Sequence, residues 1–159
     1  MELNTRGRYA VTAMADLALN AGDAPVNSRD IAERRAIPHA YLDQIIADLR
    51  RSGLIASVRG RSGGYRLGAD AKDITVASIL RAVGEGMEMT RCGVLAVEGC
   101  QAGVKCLTHD LWRGLSSLIE TYLEDVTLAD IADGRLPHTS SVKAAPDADR
   151  TGRREVASG

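Results

Sequence analysis

A helical repeat of apolar residues followed directly by a hairpin pattern is the feature that most constrains this 159-residue chain. In residues 39–51, Leu42, Ile45, Ile46 and Leu49 recur at the spacing of one helix face, and Gly53 is placed to end the helix. Two short strand patterns follow, LIASV and YRLG, and the glycine-rich run RGRSGG joins them. We therefore expect a helix and then a β-hairpin with a glycine-rich tip.

A second short helix is predicted immediately before this one. Asn27 and Ser28 are good N-cap residues for a helix that extends to Arg35, and Pro38 prevents it from continuing. Two short helices across a tight connection form a helix-turn-helix, and a following hairpin makes it a winged helix-turn-helix. The apolar spacing of residues 5–21 predicts one more amphipathic helix in front of the pair, ended by Gly22.

Charge is divided unevenly along the chain, although the net charge is only −1. Residues 1–72 hold 11 Lys and Arg against 8 Asp and Glu, whereas residues 73–159 hold 9 against 13. Between Arg50 and Arg66 there are five arginines and no acid. Exposed arginines alone would indicate only a solvated surface. Next to a helix pair and a wing they indicate a DNA-facing surface, because guanidinium binds phosphate as a fork and enters narrow minor grooves.

The candidate DNA-binding residues come from two places. One set lies on the polar face of the helix at 39–51, and the other consists of arginines at the end of that helix and in the hairpin. They are Ala40, Tyr41, Asp43, Gln44, Arg50, Arg51, Arg59 and Arg61.

All three cysteines of the chain lie in one short stretch that ends in a histidine, with the spacing C-x7-C-x5-C-x2-H. Thiolate and imidazole bind zinc and iron, and the glycines between the cysteines allow a loop to fold around one centre. The odd number of cysteines and the lack of a signal-peptide pattern argue against a disulfide. We therefore expect Cys92, Cys100, Cys106 and His109 to hold a metal ion or an iron–sulfur cluster.

Other interpretations of these cysteines stay open. Free cysteines are often small buried hydrophobes, but this run is polar and rich in glycine. Structural zinc accepts three cysteines and a histidine, although such sites usually contain two cysteines only two to four residues apart, and none are so close here. Cys106 and His109 could imitate a nucleophile and its base, yet no catalytic motif accompanies them, and we expect no enzyme.

The segment after the cysteines predicts a long helix with one apolar seam. Leu111, Leu115, Leu118 and Tyr122 are spaced four, three and four residues apart, as in a helix–helix contact. Since little of the chain's own surface is available beyond the winged domain, we expect this helix to form a homodimer. From Gly134 onward, the composition is that of a disordered tail.

The predicted fold is mainly α with a small β-hairpin wing, a winged helix-turn-helix plus a long dimerisation helix. A helix capped by Thr75 and ended by Gly84 closes the first domain. No apolar run is long enough to cross a bilayer, so we expect a cytoplasmic protein without membrane contacts. The expected divisions are a DNA-binding domain at 1–84, a cluster loop at 85–109, a dimerisation helix with a short helical turn at 110–133, and the tail at 134–159.

Four stretches of the chain closely resemble one family. LNTRGRYAVTAMADLALN, YLDQI, SVRGRSGGYRLG and CLTHDLW resemble the IscR-type bacterial regulators of iron–sulfur cluster assembly, and the likeness covers about residues 1–130. The resemblance implies a homodimeric transcription factor that binds a double-stranded DNA operator and holds one 2Fe–2S cluster per subunit. The cluster-assembly machinery would donate the cluster, and the loaded form would mainly repress cluster-assembly genes.

The same resemblance implies roles for individual residues. Cys92, Cys100, Cys106 and His109 would be the cluster ligands. The residues Tyr41, Asp43 and Gln44 would lie on the base-reading helix, and Arg59 would enter the minor groove.

The chain departs from the family at two points. Seven residues separate Cys92 from Cys100 where five are usual, and Asp43 replaces the usual glutamate. The alternatives are a nitric-oxide-sensing regulator of the same fold, a zinc-stabilised DNA-binding module and a redox protein that carries electrons. The nitric-oxide sensor takes a ligand from an N-terminal acid, whereas this chain has Arg8 there.

Overall fold

Six α-helices and one β-hairpin make up the residues that the computed structural model describes, which are 4–20, 22, 24–60, 62–86 and 107–136. The predicted fold class, mainly α with a small hairpin, is therefore confirmed. A single turn of 3-10 helix at Ala71–Asp73 precedes the fourth helix. In chain order, the elements are α1 Thr5–Leu19, α2 Ser28–Arg35, α3 His39–Arg51, β1 Ile55–Val58, β2 Gly64–Leu67, α4 Val76–Ala82, α5 His109–Asp125 and α6 Leu128–Asp133.

Side-chain caps fix where most of the helices begin. The side chain of Asn27 accepts a hydrogen bond from the Arg29 N–H, and Thr75 accepts one from the Ser78 N–H, as the sequence predicted for both caps. Such caps satisfy backbone donors that the first helical turn leaves without partners. Helix α1 ends at Leu19, two residues earlier than predicted.

The core lies where the predicted face of α3 meets α1 and α2. Leu42, Ile45, Ile46 and Leu49 are each at most 5% exposed, which confirms the predicted apolar face. Apolar residues of α1, β1 and α4 belong to the same core cluster. Helix α3 is therefore held by one face, and its other face is turned away from the core.

The hairpin is fastened to the segment that precedes α2. Val26 and Tyr65 exchange two backbone hydrogen bonds of 2.9 and 2.8 Å. A Cβ atom on the neighbouring Gly64 would lie 2.4 Å from the Val26 carbonyl oxygen, so this close approach requires glycine. The hairpin and the start of the helix-turn-helix are therefore joined by backbone as well as by side chains.

The chain returns to the first core after α5. Leu128, the first residue of α6, is fully buried in the cluster formed by α1, α2 and α3, and its N–H donates to the Ile74 carbonyl oxygen at 2.9 Å. The Val76 N–H donates to the Val126 carbonyl oxygen at 2.9 Å. A capping box between Thr127 and Asp130 begins α6. Residues 126–128 thus complete the core that the elements before residue 84 begin.

Helix α5 differs from the other long helices because none of its own residues is buried. Its last turns pack through Tyr122 and Leu123 against a small cluster that includes Val76 and Leu80. Nearer its start, the side chains of Leu111 and Leu118 are 63% and 45% exposed. None of the helices in the described ranges has both the length and the apolar character needed to span a membrane.

Candidate functional site

The exposed face of α3 holds the predicted base-reading residues at the start of the helix. Ala40, Asp43 and Gln44 are exposed, while the opposite face of α3 is buried. In helix-turn-helix proteins, the N-terminal residues of the second helix contact base edges in the major groove. Helix α3 is the second helix of this pair, so its exposed residues lie where such contacts are made.

Tyr41 is the one predicted base-reading residue that is not fully turned to solvent. Its ring is half-buried and packs edge-on against the ring of Tyr9, with 5.9 Å between the ring centroids. Edge-to-face aromatic pairs of this kind stabilise the packing of the elements that carry them. Tyr41 therefore helps to set the position of α3 against α1, a role that the sequence alone did not suggest.

His39, the first residue of α3, contacts polar groups on both sides of its ring. Its Nδ1 lies 3.3 Å from Oδ2 of Asp43, and its Nε2 lies 3.3 Å from Oγ of Ser28. Ser28 is the first residue of α2. One imidazole thus joins the starts of the two helices of the motif to an exposed carboxylate.

The arginines at the end of α3 are exposed, but one of them is paired. Arg51 donates to Oδ1 of Asp48 at 2.7 Å, and Arg6 of α1 binds the other oxygen of the same carboxylate. These hydrogen bonds, chiefly the one from Arg6, lower the pKa of Asp48. Asp48 therefore partly neutralises Arg51, while the neighbouring Arg50 is exposed and forms no ion pair with another described residue.

A buried carboxylate lies behind the helix pair. Asp16 of α1 has no exposed surface, and it accepts hydrogen bonds from Arg34 Nη2 and Arg35 Nε, each at 2.6 Å. Burial alone would raise the pKa of Asp16, but the bonds from the two arginines outweigh burial and lower that pKa. Arg34 and Arg35 are therefore engaged in fixing α2 to α1. Sequence patterns did not reveal this pairing, because its partners are 18 and 19 residues apart.

The wing presents arginine at its tip and on its second strand. Arg59 follows β1 and is exposed, and Arg66 lies exposed on β2. The tip needs glycine, because Gly60 has a φ of 125° and a Cβ atom on Gly63 would lie 2.5 Å from the Val58 carbonyl oxygen. The predicted contact residue Arg61 lies outside the described residues.

Of the four predicted metal ligands, only His109 is described, and Cys92, Cys100 and Cys106 lie outside the described residues. His109 is the first residue of α5 and is half-buried. In the part of the chain that the structure describes, no three histidine, cysteine or acidic residues are grouped so as to hold a metal ion. The ligand set therefore remains a prediction, with one member placed at the start of α5.

Comparison with known sequences identifies a family and named relatives. Residues 3–134 match the Rrf2 family, which is described as an iron-dependent transcriptional regulator. A protein named HTH-type transcriptional regulator IscR from Vibrio atlanticus is 51% identical over 131 residues, which are 82% of this chain and 75% of that protein. The protein of the same name from Yersinia enterocolitica is 50% identical over 135 residues, which are 85% of this chain and 81% of that protein.

Solved structures agree with the sequence comparison. IscR of T. potens is 36% identical, with a TM-score of 0.70 over 84% of this chain and 88% of that one. CymR, named the global cysteine regulator of B. subtilis, is 30% identical, with a TM-score of 0.72 over 84% of this chain and 98% of its own. Because the family match spans most of the chain and these relatives are named as regulators, the protein belongs to the Rrf2 family of transcriptional regulators, a DNA-binding and non-enzymatic class.

Proposed function

We propose that this protein is a homodimeric repressor that senses iron–sulfur cluster supply through one 2Fe–2S cluster per subunit. Cys92, Cys100, Cys106 and His109 would hold the cluster, and the regulated genes would be those of cluster assembly. The observation that carries the proposal is the place of His109 at the first residue of α5. A group bound there is attached directly to the helix whose Leu111 and Leu118 are exposed among the described residues.

The donor set suits such a cluster. Thiolates are the usual ligands of iron–sulfur clusters, and imidazole replaces some of them in centres of higher reduction potential. His109 also lies at the start of a 17-residue helix, where the helix dipole favours a negatively charged group. When bound, the cluster would supply a centre that forms or is lost with the supply of iron and sulfide.

The shared fold does not by itself determine which signal the protein senses. One structural neighbour of this chain is named as a regulator of cysteine, while another is named IscR. The identity of the signal must therefore depend on side chains. The three cysteines and His109 are the side chains whose chemistry favours iron and sulfide.

In the proposed mechanism, helix α5 connects His109 to the DNA-binding elements. Arg81 of α4 donates to Glu120 at 2.7 Å and lies 2.5 Å from Glu124, and Thr75 donates to Glu124 at 3.2 Å. The far end of α5 is thereby fixed to α4. When His109 is a ligand, it also fixes the first turn of α5 to the cysteine loop. Two such helices in a dimer would hold the two α3 helices at the separation of the operator half-sites.

The direct test is the composition and colour of protein prepared without oxygen. We expect equal amounts of iron and acid-labile sulfide, two of each per chain, and visible absorbance. Colourless protein with stoichiometric zinc would contradict the proposal and support the zinc-stabilised module instead.

Two substitutions at His109 test the fourth ligand. His109→Cys should keep a cluster, lower its reduction potential and slow its loss in air, because thiolate donates more strongly to iron than imidazole does. His109→Ala should load poorly or lose absorbance quickly. If both variants match the wild type in loading, potential and decay, His109 is not a ligand.

A further inference from the structure

We propose that His39 is a positioning residue for base recognition, because it holds the carboxylate of Asp43 in one orientation at the start of α3. The inference rests on the proposed DNA interface, in which the exposed face of α3 reads bases. It concerns a residue that no sequence motif assigned to that interface.

The geometry places three polar groups in one row. His39 and Asp43 are four residues apart on α3, so both side chains lie on the same side of the helix. The His39 ring lies between the Asp43 carboxylate and the Ser28 hydroxyl, with 3.3 Å to each. Both His39 and Asp43 are partly exposed, at 40% and 51% of their side-chain surface. The row therefore lies at the surface where a base would approach.

The contact between His39 and Asp43 is electrostatic. An imidazole nitrogen faces a carboxylate oxygen at 3.3 Å, so a proton on Nδ1 or a charged ring attracts the ionised carboxylate. With the proton on Nδ1, a neutral ring leaves Nε2 as an acceptor for the Ser28 hydroxyl. In a charged ring both nitrogens donate, and Ser28 accepts instead.

Orientation matters because a free aspartate would offer a base several geometries. Staggered rotamers give an exposed side chain alternative directions, and ordering it on binding costs entropy. With Oδ2 facing His39, Oδ1 is the oxygen that remains available to a base. A carboxylate oxygen accepts from the N4 amino group of cytosine, and it disfavours base edges that present only acceptors. His39 would therefore sharpen the preference that Asp43 imposes.

Ser28 supplies the second point of support. It is the first residue of α2, directly after the Asn27 cap, and its backbone is therefore fixed by the start of that helix. Through Nε2, the ring of His39 contacts α2 as well as its own helix. Two contacts on opposite edges of an imidazole leave little freedom to rotate about either one.

Substitutions of His39 that preserve either the Nδ1 contact or the Nε2 contact test this arrangement. The amide nitrogen of Asn can replace Nδ1, and that of the longer Gln can replace Nε2. We would select duplexes from a randomised DNA pool with the full-length wild type and with His39→Asn, His39→Gln, His39→Ala and Asp43→Ala. Thermal unfolding of each variant serves as the folding control.

Asp43→Ala and His39→Ala should lose base preference at the same operator position. There the discrimination should fall from about five-fold or more to nearly none. His39→Asn should retain most of that preference, whereas His39→Gln should lose it. Preferences at the other operator positions should be unchanged in all four variants.

The possible results distinguish a failure of the DNA interface from a failure of the positioning role of His39. If Asp43→Ala selects the same bases as the wild type, Asp43 does not read a base, and the proposed interface is wrong at that point. If Asp43→Ala loses the preference but His39→Ala keeps it, the interface stands and the positioning role of His39 is overturned. A uniform loss of affinity in His39→Ala, without a change in base preference, would also overturn it.

Discussion

The helix-turn-helix and helix α5 are held in opposite ways. Every helix of the first region contributes buried residues to one core, and Leu42 and Ile45 of α3 have no exposed surface at all. Helix α5 has no buried residue, and its visible attachments are the contacts of its last turns with α4. The helices of the first region are therefore held by a shared core, whereas no residue from the start of α5 belongs to a core cluster of the described residues.

This difference separates specificity from sensing. A surface that reads DNA benefits from a rigid support, because side chains held in place lose less freedom on binding. A helix that reports the occupancy of a site must be able to respond to it, and weakly anchored elements respond most readily. Under the proposed function, the anchored region recognises the operator and the exposed helix conveys the state of the cluster.

A matched pair of leucine truncations should show the largest difference between the core and helix α5. Leu42→Ala should lower the free energy of unfolding by about 2–5 kcal/mol, because it leaves a cavity in the core. Under the proposed homodimer, Leu111→Ala should instead weaken association, since Leu111 is 63% exposed. Sedimentation and chemical unfolding over a range of protein concentrations measure both effects. A Leu111→Ala variant that unfolds as early as Leu42→Ala at concentrations where both are monomeric would contradict the distinction.

The anchoring of α2 to α1 should be sensitive to Asp16. Asp16→Asn removes charged hydrogen bonds to Arg34 and Arg35, and we expect unfolding to become easier by roughly 1.5–3 kcal/mol. Both arginines are partly exposed to solvent. The loss of stability should therefore be smaller than the loss caused by leaving a fully buried charge without a partner. Urea unfolding at neutral pH measures this change.

The pH dependence of stability gives the same residue a second test. Because the pKa of Asp16 is lower in the folded protein than its ordinary value of 3.8, its contribution is complete above that value and is lost as the pH falls below it. Asp48 and Asp130 act in the same direction. Wild type should therefore lose stability below about pH 4 more steeply than Asp16→Asn. Parallel curves for the two proteins would show that Asp16 does not carry this dependence.

Arg59, at the tip of the wing, should contribute directly to DNA affinity. Arg59→Ala should weaken operator binding by about 1–3 kcal/mol if it makes a good groove contact. Arg135→Ala is the matched control, because Arg135 lies beyond α6, is also exposed and pairs with Asp133. Fluorescence anisotropy at two salt concentrations measures both variants. Equal affinity of the two variants would remove Arg59 from the interface.

The smallest expected effect concerns the link between the two regions. Arg81→Gln should lower the free energy of unfolding by about 0.2–1 kcal/mol, because its bonds to Glu120 and Glu124 are half exposed to water. A double-mutant cycle with Glu120→Gln isolates the pair. A coupling energy of zero would mean that α5 is held to α4 by apolar contacts alone.

Local patterns predicted the helix-turn-helix and its wing because each element carries its own signal. The apolar face of α3, the caps Asn27 and Thr75, and the positive φ of Gly53 depend on residues a few positions apart. The pairing of Arg6 with Asp48 could not be predicted in this way, since 42 residues separate the partners. The same holds for the Tyr9–Tyr41 contact, which no periodicity encodes.

The sequence predicted which arginines are exposed, but it did not predict which polar side chains pair with one another. The exposed arginines followed from a segment without acids, and the structure places Arg50, Arg59 and Arg66 at the surface. The pairing of Arg51 with Asp48 and the row of Ser28, His39 and Asp43 depend on side-chain directions that only the folded chain defines. The cysteine ligands remain a prediction from chemistry and resemblance.

The burial of Leu128 has a consequence for the order of events during synthesis. A ribosome delivers the chain from its N-terminus, and Leu128 is fully buried in a core whose other buried members all come from residues 10–83. Cys92, Cys100, Cys106 and His109 are therefore synthesised before the residue that completes this core. A nascent chain halted just before Leu128 would already carry every proposed cluster ligand while its DNA-reading unit was still unfinished.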